Sequence, residues 1–312
     1  MHWKAGFSIF GLLAALCFAQ QADDRVEIMP RAKPATAAMI DGKVRASNFR
    51  VDANLVEVPV RVTDRYDYPI MGLGAGDFKV WEDEAERPVV ACSGHDSPLS
   101  IGFVFDSSRS MKGARIQTAV AALQHVLDAS IEGDEFVLAR FSDAVEVLIP
   151  SFTPKPGDVA NALGLVAANG WTALIDAVIT TVHLVKKAHH QPAAIFVVSD
   201  GTDNNSRYSE SQAIRILREA NVQVYAIGII DTVGFLKRAA TETGGAMVKA
   251  KNINEIPAKT DELLQLMRNR YLIGYYPPGN DGGQWRRITV KVPAHPEWRV
   301  DWRRGYQSLD AR

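Results

Sequence analysis

Residues 99–111 read LSIGFVFDSSRSM. The first seven, Leu99 to Phe105, are apolar apart from Ser100, with no polar alternation, which is how a strand buried on both faces is written. Asp106 to Ser110 is a polar loop. After Met111, residues Ile116, Ala119, Val120, Leu123, Val126, Leu127 and Ile131 keep the 3.6-residue spacing of an amphipathic helix. Strand, loop and helix in that order form the repeating unit of an α/β domain. Three further apolar runs, at 135–141 (EFVLARF), 193–199 (AAIFVVS) and 222–229 (VQVYAIGI), have the same character. Helical patterns fall near 157–168, 173–190, 209–220, 232–242 and 254–270. The alternation predicts a doubly wound, mostly parallel, Rossmann-like α/β domain over 97–270.

The flanks are written differently. Val56, Val58, Val60 and Val62 alternate with Glu57, Pro59, Arg61 and Thr63, the period of a strand with one wet face, and Pro59 places that strand at an edge. Phe78 and Val80 begin a second strand, and Val89 to Ala91 a third. At the other end, 271–276 (YLIGYY) is apolar and aromatic. Ile288, Val290 and Val292 alternate with polar neighbours, as do Trp298, Val300 and Trp302. Segments 49–94 and 271–307 are each too short for a stable sheet of their own. They are expected to fold together as a small antiparallel β-sandwich with the α/β domain inserted. Two separate small sheets are the alternative.

Ligands of open α/β sheets bind at the carboxyl ends of the strands. Asp106, Ser108 and Ser110 stand there in a D-x-S-x-S pattern, and all three offer oxygen, the donor that hard divalent cations such as Mg²⁺ take. Read alone, the pattern also fits a helix cap at Ser110. Two more pieces fall on the same edge. The loop before the helix at 173 carries Thr172 (GWTALIDA, 170–177), and the run at 193–199 ends in Asp200 (VVSDG, 197–201).

With these residues in view, the chain resembles the von Willebrand factor type A domain and its metal-ion-dependent adhesion site. More narrowly, it is similar to bacterial, acidobacterial-type members of that family. The latter likeness rests on Gly72-Leu73, Asp77 to Val80, Asp96 to Gly102, Asp200 to Arg207, Thr243 to Gly245, Tyr271 to Tyr275 and Arg304 to Tyr306, and covers about residues 48–308. The resemblance implies a divalent ion, Mg²⁺ with Mn²⁺ or Ca²⁺ as alternatives, held by Asp106, Ser108, Ser110, Thr172 and Asp200. It implies an open position filled by an Asp or Glu of a protein partner. Arg109 stands where many members have Gly, and would either steer an acidic partner or be a solvated loop charge. Trp171, beside Thr172, is either an exposed partner contact or packed under its loop.

Other chemistry finds less support. His183, His189 and His190 lack further ligands and read as surface residues. Asp200-x-x-Asp203 does not have the alternating ligands of a calcium loop, so Asp203 reads as turn chemistry. No G-x-S-x-G, phosphate loop, dinucleotide fingerprint or H-E-x-x-H is present, so the expectation is a non-catalytic module. Lys and Arg number 35 against 36 Asp and Glu, which argues against nucleic acid and anionic membrane as partners.

The first residues set the compartment. Lys4, an apolar run from Gly6 to Phe18 and small residues at Cys17 and Ala19 read as a signal peptide cleaved after Ala19. A lipoprotein cut before Cys17 is the alternative, opposed by the bulk of Leu16. Residues 20–48 read as a flexible leader. No other stretch is long enough to span a membrane. The mature chain keeps Cys92 as its one cysteine, so no internal disulfide is expected. The expected product is periplasmic or secreted, and adheres to an acidic protein partner through the ion. The alternative is an envelope structural or assembly protein that works through the sandwich, with a stabilising ion only.

Overall fold

The computed structural model describes residues 55–308 except 95–96, 165, 201, 230–233 and 280–282. The expected signal peptide and leader lie outside the described residues. Four strands come first: β1 (Val56–Thr63), β2 (Lys79–Glu82), β3 (Ala85–Arg87) and β4 (Ala91–Ser93). The α/β alternation follows with β5 (Ser100–Asp106), α1 (Ala114–Asp128), β6 (Glu135–Phe141), β7 (Val145–Thr153), α2 (Pro156–Leu163) and α3 (Leu174–Val185). It continues through β8 (Ala193–Ser199), α4 (Glu210–Glu219), β9 (Val222–Ile229), α5 (Gly234–Thr243), β10 (Ala246–Ala250) and α6 (Ile256–Arg268). The remaining strands are β11 (Tyr271–Tyr275), β12 (Trp285–Lys291), β13 (Arg299–Trp302) and β14 (Gly305–Gln307).

The central sheet runs β10-β9-β8-β5-β6-β7. Its neighbours are parallel except β7, which is antiparallel to β6. Both faces are covered, which is why β5, β8 and β9 carry unbroken apolar runs. Ile101, Phe103 and Phe105 of β5 pack with Leu123 and Val126 of α1 and with Leu263 and Met267 of α6. Val104 packs on the opposite face with Val178 and Val182 of α3, beside Ile214 of α4 and Leu236 of α5. The mostly parallel, doubly wound architecture read from the sequence is the one observed.

Gly102 sets how close α3 comes to the sheet. A Cβ there would lie 2.6 Å from Thr181 Cγ2 and 2.8 Å from Val185 Cγ1. Gly102→Ala is therefore expected to destabilise by about 1–3 kcal/mol through overpacking, read as a lowered urea midpoint at unchanged slope.

The flanking strands form two four-stranded antiparallel sheets, β13-β1-β11-β4 and β14-β12-β2-β3. Each draws strands from both ends of the chain. They share one apolar core, in which Val58, Val60 and Val80 meet Tyr271, Ile273, Ile288 and Val290. The structure departs here from three sequence expectations. β1 is internal, pairing β11 over Val56–Val60 and β13 over Val60–Thr63. Pro59 is tolerated because β13 begins to pair only at Val60, which leaves one side of the strand open at Pro59. The expected wet face of β1 is also covered at Pro59, Arg61 and Thr63, while Glu57 stays exposed. Arg61 is 4% exposed, and its Nη2 donates to Gly245 O (3.0 Å) and to Asp301 Oδ2 (2.9 Å). A residue that alternation assigns to solvent thus docks the sandwich on the α5–β10 turn. The expected strand at Val89–Ala91 resolves into β3 and β4 on either side of an exposed Val90.

Gly244 and Gly245 allow that docking. Gly244 has φ +71°, and a Cβ on it would lie 2.5 Å from backbone atoms of Trp302 and Arg303; a Cβ on Gly245 would lie 2.0 Å from Val224 O. Among the described residues no helix is long and apolar enough to cross a membrane. Cys92 is free and half-buried.

Candidate metal centre

β5 delivers Asp106 to the carboxyl edge of the central sheet, fully buried. Its carboxylate accepts from the Ser108 backbone N–H at Oδ1 (2.9 Å) and from Ser199 Oγ at Oδ2 (2.5 Å). Burial pushes the Asp106 carboxyl up to about 6, against the lowering effect of the Ser108 and Ser199 hydrogen bonds, and the Asp200 charge adds to the rise. The next links run through side chains. Ser108 Oγ and Ser110 Oγ are 3.0 Å apart, and Ser110 Oγ donates to Asp200 Oδ1 (2.7 Å). Asp106, Ser108, Ser110 and Asp200 are therefore brought together at the ends of two adjacent strands, β5 and β8.

Thr172 arrives on the loop before α3 and is buried. Its backbone N–H donates to Asn204 Oδ1 (2.9 Å), and its carbonyl accepts from the Asn204 N–H (3.0 Å) and the Asn205 N–H (3.2 Å). It lines a pocket of about 290 Å³ together with Arg109, Ser110, Gly170, Trp171 and Asn204. Trp171 is 63% exposed and so is not packed under its loop. Arg109 is exposed as well, with its backbone N–H on Gly170 O (3.0 Å).

Several further residues carry this arrangement, most of them not singled out in the sequence. Asp143 follows β6 and accepts the Trp171 N–H at Oδ1 (2.8 Å). Gly170 has φ +81°, and a Cβ on it would lie 2.3 Å from Asp143 Oδ2, so the loop can close over that carboxylate only with glycine. Asn169 N donates to Ser107 O (2.8 Å), which stitches the 169–172 loop to the β5–α1 loop. Asp203, read as turn chemistry, accepts the Ile175 N–H (3.1 Å) and the Ser206 hydroxyl (2.5 Å) at the start of α3. Asp176 in the same turn is buried and accepts from Arg207 Nε (2.9 Å). Arg115, in the first turn of α1, places Nη1 on Asp200 Oδ2 (2.7 Å) and on Ser110 O (2.9 Å). The histidines do not gather. His189 pairs with Glu135 (2.7 Å), His183 is exposed, and among the described residues no group of three or more His, Cys, Asp or Glu could hold a metal.

The donor set fits a hard cation. It is all oxygen, it contains two carboxylates, and the one on Asp106 is fully buried with only hydroxyl and amide donors against it. A cation there would supply the charge compensation that this carboxylate lacks.

Residues 101–202 match the family model for the von Willebrand factor type A domain. The chain contains a von Willebrand factor type A domain. It is 26% identical over 185 residues to inter-alpha-trypsin inhibitor heavy chain H4 of Bos taurus and 28% identical over 186 residues to that of Homo sapiens. Each match takes in 54% of this chain but only 20% and 19%, respectively, of the relative. Among solved structures, a von Willebrand factor type A protein from Catenulispora acidiphila aligns with TM-score 0.51 at 14% identity, over 78% of this chain and 71% of that one. That likeness concerns the fold. The matched segment runs from β5 to just beyond β8, the two strands that deliver Asp106 and Asp200.

Proposed function

We propose that this is an exported, non-catalytic binding protein whose type A domain grasps an acidic residue of a protein partner through a divalent ion, Mg²⁺ in the first instance. Asp106, Ser108, Ser110, Thr172 and Asp200 would hold the ion. The ion supplies a positive centre that a carboxylate of the partner can join through a strong charge-assisted contact. The observation that carries this reading is the continuous link Asp106–Ser108–Ser110–Asp200 across two strand ends.

The surroundings support a partner of this kind. Trp171 offers an exposed aromatic face beside the pocket, the residue type that dominates binding energy at interfaces. Arg109 adds a cation at the rim, which favours an acidic approach. Export rests on the residues at 1–19, and the non-catalytic reading on a site that holds two carboxylates and hydroxyls with no His beside them among the described residues.

The test uses short peptides carrying Asp or Glu, compared with their Asn and Gln counterparts, in Mg²⁺ and in EDTA. Binding is expected for the acidic peptides in Mg²⁺ only, and is expected to vanish with Asp106→Ala. Binding that survives both EDTA and the substitution overturns the proposal.

A further inference from the structure

Arg115 occupies an unusual place. It is the second residue of α1, where the helix dipole disfavours a cation. It is held there by Asp200 Oδ2 at 2.7 Å and by the Ser110 carbonyl at 2.9 Å. Its side chain is 37% exposed, whereas that of Asp200 is only 2% exposed. The guanidinium therefore covers the carboxylate from the solvent side. With Ser110 Oγ on Oδ1 and Arg115 on Oδ2, both oxygens of Asp200 are engaged.

We propose that Arg115 is a built-in competitor of the metal ion: its guanidinium neutralises Asp200 in the metal-free domain and has to give way, wholly or in part, when a divalent cation enters. The inference rests on the assignment of Asp106, Ser108, Ser110, Thr172 and Asp200 as the ion's ligands and concerns how readily that site fills. The physical reason is direct. A unit positive charge on a ligand carboxylate repels the arriving cation at short range, and solvent screens this only in part because the Asp200 side chain is 2% exposed. It also ties up lone pairs that the ion or its water would use. The same contact stabilises the metal-free state, because a buried carboxylate without a partner is costly. Arg115 thus sets the ion concentration at which the domain switches from unloaded to loaded, so that a partner is engaged only where the cation is plentiful. Arg109 has no such role: its side chain is exposed at the rim, and its backbone N–H is on Gly170 O (3.0 Å).

The competing possibility is that Arg115 positions Asp200 for the ion. The two roles predict opposite signs. A competitor, once removed, leaves tighter metal binding; a positioning group, once removed, leaves weaker binding.

Mg²⁺ binding is measured by titration calorimetry on wild type, Arg115→Gln, Arg115→Lys and Asp106→Ala, with thermal unfolding in EDTA and in saturating Mg²⁺ as a second readout. Arg115→Gln is expected to bind Mg²⁺ about tenfold more tightly than wild type. In EDTA its midpoint should fall below wild type, and in saturating Mg²⁺ the difference should close. Arg115→Lys keeps the charge on a shorter stem and should stay near wild type in affinity, which also guards against a misfolded glutamine variant. Equal or weaker binding by Arg115→Gln, with wild type binding and Asp106→Ala silent, overturns the competitor role and leaves the site assignment standing. No binding by wild type or by Arg115→Gln overturns both. Binding by Arg115→Gln alone supports the competitor role in its strongest form.

Discussion

Arg268→Ala is expected to lower the unfolding free energy by about 3 kcal/mol, with a visible loss of cooperativity at the sandwich side of the type A domain. Arg268 ends α6 and forms an ion pair with Asp134, whose side chain is 1% exposed. Asp134 also accepts the Leu99 N–H (2.7 Å) at Oδ1 and the Ile131 N–H (3.0 Å) at Oδ2. One carboxylate thereby ties the start of β5, the turn before β6 and the end of α6, three residues ahead of the first residue of β11. Truncating Arg268 leaves that charge buried with two amide donors and no cation, and breaking one partner of a buried pair is far more costly than removing both. The amides keep the effect at the low end of the usual range. Chemical denaturation of wild type, Arg268→Ala and the double variant with Asp134→Asn checks this. The double variant should recover part of the loss. Equal stability of Arg268→Ala and wild type would show that solvent reaches Asp134 and that α6 is not fastened there.

Which parts of this molecule the sequence discloses follows from how local each signal is. β5, β6, β8 and β9 are legible because burial on both faces writes an unbroken apolar run. β7 is not. It is an edge strand of the sheet, only partly buried, it carries Pro150, and its pairing with β6 shifts register twice. β10 has five residues and follows a glycine pair, too little for a period to show. β1 misleads for a different reason. Its alternation is real, but the polar side of the strand is buried by another part of the chain, and Arg61 becomes a docking residue. The candidate site divides in the same way. Asp106, Ser108 and Ser110 stand within five residues and announce themselves as a motif. Thr172 and Asp200 become readable once strand ends are placed. Arg115, Asp143 and Ser199 act through contacts with residues 28 to 93 positions away, and nothing in their immediate neighbours marks them. One signal was available for Arg115, namely a cation in the first turn of a helix, where the dipole opposes it.

The last expectation sets two effects of opposite sign on one residue. In EDTA, Asp106→Asn is expected to unfold at or above the wild-type temperature, and in Mg²⁺ below it. Asp106 is fully buried and faces Ser108, through its amide and its side chain, and the Ser199 hydroxyl, all of them uncharged. Burying a carboxylate without a counter-charge is costly, and a neutral amide of the same shape avoids much of that cost. An asparagine can still accept from the Ser108 N–H and donate to Ser199 Oγ, so the hydrogen bonds survive. With Mg²⁺ at about 100 times its dissociation constant, wild type should gain about 2.7 kcal/mol, a rise of about 5–10 °C for a domain of this size. Asp106→Asn, lacking one of the two carboxylates, should gain little. The order of the two proteins would then invert between EDTA and Mg²⁺, which a purely structural role for Asp106 cannot produce. A wild type more stable than the variant in both conditions would mean that the carboxylate is held for its hydrogen bonds alone. An inversion would mean that the domain tolerates a buried charge in its resting state because the loaded state uses it, the compromise between stability and function that a binding site built into a fully buried strand end requires.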